Sequence, residues 1–94
     1  MRLIDLLARP DLLDDDDGAI YVARPWRPEA EALVVSPAPD GTEPISLEGT
    51  PLEYFLETYL AHEFLEDFAE SDAGAGADPR QACERLIRYA QADA

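Results

Sequence analysis

Apolar positions come in short runs along this chain, and their spacing changes character halfway. Arg2-Leu3-Ile4-Asp5-Leu6-Leu7-Ala8 are good helix formers, and Pro10 ends them. Asp11 to Gly18 reads as a loop; its consecutive aspartates Asp14, Asp15, Asp16 and Asp17 repel one another and favour a solvated turn. Ala19–Ala23 and Ala32–Ser36 are β-branched and apolar, which predicts two strands joined through Arg24-Pro25-Trp26-Arg27-Pro28 as a wide hairpin. Residues 36–51 hold four of the eight prolines and two glycines, so they read as a long loop in which Ile45-Ser46-Leu47 can pair briefly.

From Leu52 onward two periods compete. Leu52, Leu56, Leu60, Phe64 and Phe68 recur every four residues, as in one long helix, yet Leu52–Glu57 is also rich in strand formers. From Tyr59 the helix is unambiguous: at about 100° per residue, Leu60, Ala61, Phe64, Leu65 and Phe68 share one face, and Glu63, Glu66, Asp67 and Glu70 the opposite one. Residues 71–78 are small and polar, a flexible linker. Asp78-Pro79-Arg80-Gln81 then opens a last helix, with Asp78 as N-cap, Pro79 at the first position and Gln81 as capping-box partner. Its apolar face is Ala82, Cys83, Leu86, Ile87 and Ala90.

These elements predict one α+β domain over residues 1–94. A small antiparallel sheet of about three strands (Ala19–Ala23, Ala32–Ser36, Leu52–Glu57) is covered on one face by about three helices (Leu3–Ala8, Tyr59–Glu70, Pro79–Gln91).

Charge sharpens the picture. The chain carries 21 acidic and 7 basic residues, a net charge of −14. All the basic residues are arginine, and none falls between Arg27 and Arg80, where thirteen acids lie. Such a surface repels phosphate backbones and attracts cationic ones, so a basic protein is the expected partner and nucleic acid is not. No apolar run approaches the roughly 20 residues needed to span a bilayer. The early Asp5 argues against a secretory signal, and a single cysteine against a disulfide framework, which together predict a cytoplasmic protein.

Candidate chemistry is sparse. If Gly18 is the sixth position of a calcium loop, Leu13 and Arg24 stand where ligands belong, and the pattern fails. His62-Glu63-Phe64-Leu65-Glu66 has Glu66 where a zinc-protease helix needs its second histidine, and no other histidine exists. Cys83 sits among apolar residues, as a structural cysteine does. No catalytic residue, metal ligand or cofactor site is expected. Trp26 is the sole tryptophan, in a proline-stiffened connection; it either anchors a partner or folds back over the sheet edge.

The order of a Leu-rich helix (Leu3 to Ala8), an acidic turn (Asp14 to Asp17), strands Ile20-Tyr21-Val22 and Ala32-Leu33-Val34-Val35 flanking Pro25-Trp26, and Leu52-Glu53-Tyr54-Phe55-Leu56-Glu57 leading into a helix resembles a small family of bacterial domains of unassigned function. That family is associated with polymorphic-toxin loci, where small acidic proteins act as immunity proteins. The resemblance implies that Leu52–Glu57 is a third strand. It implies an immunity-type inhibitor that binds and occludes a cationic toxin acting on nucleic acid or nucleotides. Asp14, Asp15, Asp16, Asp17, Trp26, Glu63, Glu66, Asp67 and Glu70 are then the expected partner-binding residues. The inhibitor is expected as a monomer or weak homodimer completed by its partner; the alternative from another class is a structural or regulatory domain that self-associates, through its sheet edge or last helix, as a concentration-independent oligomer.

Overall fold

Antiparallel pairing organises the chain. In the computed structural model, which describes every residue except Asp15, Thr42, Ala73 and Ala94, the apolar runs on either side of Pro25-Trp26 form β1 (Ala19–Val22) and β2 (Ala32–Val35). They pair from Ala19↔Val35 to Val22↔Ala32. The other edge of β1 takes β4 (Thr50–Glu57), which also pairs with β3 (Ile45–Leu47), giving the sheet order β2-β1-β4-β3. Helices α1 (Leu3–Leu7), α2 (Pro10–Leu13), α3 (Thr58–Glu70) and α4 (Pro79–Asp93) complete an α+β fold. Among the described residues no helix is long and apolar enough to cross a membrane.

The sheet has four strands where three were expected. Ile45–Leu47 returns onto Thr50 through Glu48-Gly49, both at positive φ (51° and 84°), the backbone of a two-residue hairpin whose twist matches its strands. Glutamate before the glycine is not the Asn or Asp that usually signals this turn. A fourth helix arises similarly. Pro10 does end α1, but it also occupies the first position of α2, where its missing N–H costs nothing and its φ is already helical.

Leu52–Glu57 is strand, as the resemblance implied. The strand carries a β-bulge. Ile20 pairs with Leu56, but Tyr21 pairs with Tyr54, so Phe55 is the extra residue. Phe55 and Leu56 therefore both turn to the helical side, where they join Ile20, Val22, Leu3, Leu6, Ala61 and Leu86 in the main core. Beyond Glu57 the chain passes directly into α3.

The opposite face of the sheet carries a second, smaller cluster. Ala19, Tyr21 and Leu52 are buried there beneath Leu33, Ile45, Leu47 and Ala38, so the sheet curls upon itself around Tyr21. Tyr21 is fully buried, packs edge-to-face on Tyr54 at 6.0 Å, and its hydroxyl has no hydrogen-bond partner among the described residues. A buried, unsatisfied hydroxyl costs on the order of 1–3 kcal/mol. Tyr21→Phe, which keeps the ring, is therefore expected to stabilise the fold by about 1 kcal/mol. Urea titration of the two proteins checks this, and an equal or lower midpoint for the variant would refute it.

Candidate functional site

Thr58 positions the acidic helix. Its N–H and Oγ1 both donate to the Gly18 carbonyl, at 3.0 and 3.1 Å, and the residue is fully buried. A Cβ at position 18 would lie 3.3 Å from Thr58 Cγ2, Thr58 Oγ1 and Val34 Cγ1, so glycine lets this junction close without displacing them. The end of the acidic turn is thus tied to the first turn of α3. Ala61 is buried, Leu60, Phe64 and Leu65 pack against the core, and Glu63, Glu66, Asp67 and Glu70 are left exposed. The stripe then runs away from the turn for about 10 Å at 1.5 Å per residue.

The charge of this stripe is not compensated by arginine. The arginine ion pairs among the described residues are Arg2–Asp5, Arg9–Asp11, Arg24–Glu53 and Arg80–Glu29, none of them on α3. The α-amino group of Met1 pairs with Glu31 at 2.5 Å. On α3 itself, His62 meets Glu66 one turn on, and contributes charge only when protonated. Hydrogen bonds from Arg9 and Arg80 hold Asp11 and Glu29 below the ordinary carboxylate range. The stability those two pairs contribute is present above that ordinary range and is lost as pH falls through the lowered values.

The other expected site residues separate into two places. Asp14, Asp16 and Asp17 are exposed on the turn after α2, where the Asp17 carbonyl accepts from Ala38 N–H at 2.6 Å; Asp15 lies outside the described residues. Trp26 sits beyond the far end of β1. Its indole N–H donates to the Val22 carbonyl at 3.2 Å, its ring meets Phe55 edge-to-face at 5.0 Å, and the Arg24 guanidinium lies 3.8 Å from the ring centre. Half-buried, set edge-to-face against Phe55 and covered by the Arg24 guanidinium, Trp26 is a wall of the core; the exposed side chains around it include Arg24, Arg27, Glu84, Arg88 and Gln91. The structure thus joins the turn to the stripe and keeps Trp26 apart from both.

Cys83 is buried, and that burial pushes its thiol up to about 12, far from thiolate reactivity at neutral pH. Among the described residues no three His, Cys, Asp or Glu side chains converge as a metal site would require.

One feature of this surface was not anticipated from sequence. Arg85 and Arg88 are exposed on α4 and have no carboxylate partner among the described residues. The signal was present: both fall outside the apolar positions Cys83, Leu86, Ile87 and Ala90 and therefore face away from the core. No family model matches the chain, and no curated protein or solved structure shows significant similarity to it.

Proposed function

We propose that this protein acts by binding, as an immunity-type inhibitor that covers the active site of a cationic bacterial toxin, one acting on nucleic acid or nucleotides. One observation carries the reading: Glu63, Glu66, Asp67 and Glu70 form an exposed row on a rigid helix, with no arginine of the chain paired to it among the described residues. A fixed row of uncompensated carboxylates speeds encounter with a basic surface, and those desolvated on docking slow its release. Asp14, Asp16 and Asp17 extend the acidic field from the helix's first turn. In this reading the protein is cytoplasmic, uses no cofactor and performs no catalysis.

The test is capture of the partner from source-cell lysate at low and high salt, with wild type beside Glu63→Lys/Glu66→Lys/Asp67→Lys. Wild type is expected to retain one stoichiometric basic protein. The reversed variant is expected to bind it at least about tenfold more weakly at low salt, with a smaller difference at high salt. Equal retention by both at low salt would reduce the stripe to solvated surface and remove the basis of the proposal.

A further inference from the structure

We propose that the face shared by α3 and α4 is self-complementary, and that a second copy of this chain docks on it about a two-fold axis parallel to the two helices. The inference does not depend on a toxin partner; it concerns the free protein.

The two helices run antiparallel in a fixed register. The Arg85 guanidinium lies 5.5 Å from the Phe68 ring, and Tyr89 stacks on Phe64 at 5.0 Å, so position 85 is level with 68 and position 89 with 64. Phe64 and Phe68 themselves stack at 6.2 Å. Phe64, Phe68 and Tyr89 thus make an aromatic row along the seam, with Phe64 and Phe68 half-buried and Tyr89 37% exposed. On the α3 side, Asp67 lies about 60° around the helix from Phe64 and Glu63 about 100°. On the α4 side stand Arg85 and Arg88, with the exposed Glu84 beside them. Arg85 thus lies over Phe68 itself and Arg88 beyond it, Glu63 and Asp67 flank the row from the α3 side, and among the described residues neither arginine pairs with these acids. An apolar centre between charged margins is the anatomy of an interface.

Complementarity selects the occupant. A uniformly basic surface would satisfy Glu63 and Asp67 and repel Arg85 and Arg88; a uniformly acidic one would do the reverse. The partner that fits carries an acidic edge, an apolar centre and a basic edge in this order and spacing, which is what this chain presents.

Symmetry then fixes the orientation. With the axis across the helices, α3 lies on α3 and acids face acids. With the axis along the helices, each α3 lies on the α4 of the other copy and heights along the axis are kept. Asp67 then meets Arg85 of the second copy, Glu63 meets its Arg88, and the aromatic rows close on one another. Each contact occurs twice, as an isologous interface demands.

Sedimentation velocity on the purified protein over a concentration series, at physiological ionic strength, tests this. Wild type is expected to sediment as a dimer. Arg85→Glu/Arg88→Glu and Glu63→Arg/Asp67→Arg are each expected to weaken the dimer at least about tenfold. The variant carrying all four substitutions restores both pairings with their signs exchanged and is expected to dimerise again. Far-UV circular dichroism shows that each variant is folded; should a reversal fail that check, Arg85→Ala/Arg88→Ala takes its place. A wild type that stays monomeric throughout the series, reversed variants that still dimerise, or a fourfold variant that stays monomeric would each overturn the proposal.

Discussion

Phe55→Ala is expected to lower the unfolding free energy by about 3–5 kcal/mol, the usual cost of emptying a buried aromatic site. Phe55 is 2% exposed and is the extra residue of the β4 bulge. The neighbours that fix it, β1 on one side and Trp26 on the other, cannot collapse into the space without unpairing the strand. Since a domain of this size is stable by only about 5–15 kcal/mol, the variant stands close to unfolding at ambient temperature. Each lost kcal/mol lowers the melting temperature by about 4–8 °C in so short a chain. Trp26 reports the change directly: with its edge-to-face partner gone, its fluorescence is expected to shift to the red in the native baseline as well as at a lower urea midpoint. A loss below about 1 kcal/mol would mean that the bulge is not held by this ring.

Leu86→Ala carries the second large effect, about 2–5 kcal/mol, and its distribution is the informative part. Leu86 is fully buried at the centre of α4, which packs mainly on α1 and α3 and is joined to the rest of the chain by residues 71–78. A helix anchored on one apolar stripe and led by a small-residue connection can open before the sheet does. Amide hydrogen exchange in the variant is therefore expected to accelerate across α4 first, with β1 and β4 still protected. Uniform acceleration across helix and sheet would show that α4 belongs to the same cooperative unit. Loosened α4 also withdraws Arg85 and Arg88 from the α3–α4 face, so the variant's dimer is expected to weaken although no interface side chain has changed.

Much of the fold was legible because local chemistry and tertiary structure agree there. Asp78 and Gln81 form the reciprocal bonds that the Asp-Pro-x-Gln pattern requires, Gln81 N–H to Asp78 Oδ1 at 2.8 Å and Asp78 N–H to Gln81 Oε1 at 2.9 Å. The strands β1 and β2 and the exposed acids of α3 followed equally from composition and period. Where the readings diverged, a single residue serves two purposes. Pro10 stops one helix and starts the next. Leu52, Phe55 and Leu56 have helical spacing in the sequence, but the bulge at Phe55 turns Leu52 to one face of the sheet and Phe55 and Leu56 to the other. Trp26 was open between anchor and core because its role depends on Phe55 and Arg24, which reach it from a distant strand and from across a proline. The register of α4 against α3, which sets Arg85 over Phe68 and Tyr89 on Phe64, is a tertiary fact with no trace in the separate helices.

The two outer strands have a consequence for behaviour at high concentration. β2 begins under the amino-terminal residues, where Ala32 N–H donates to Met1 O at 2.7 Å and Leu3 N–H to Ala30 O at 2.8 Å. β3 is three residues long, preceded by Pro44 and paired with a strand segment containing Pro51. Neither edge offers a long row of free amides on which another chain could template, and short, proline-flanked edges are how natural sheets avoid fibre growth. Crowded solutions of this protein are therefore expected to resist amyloid formation, despite the apolar strands β1 and β2.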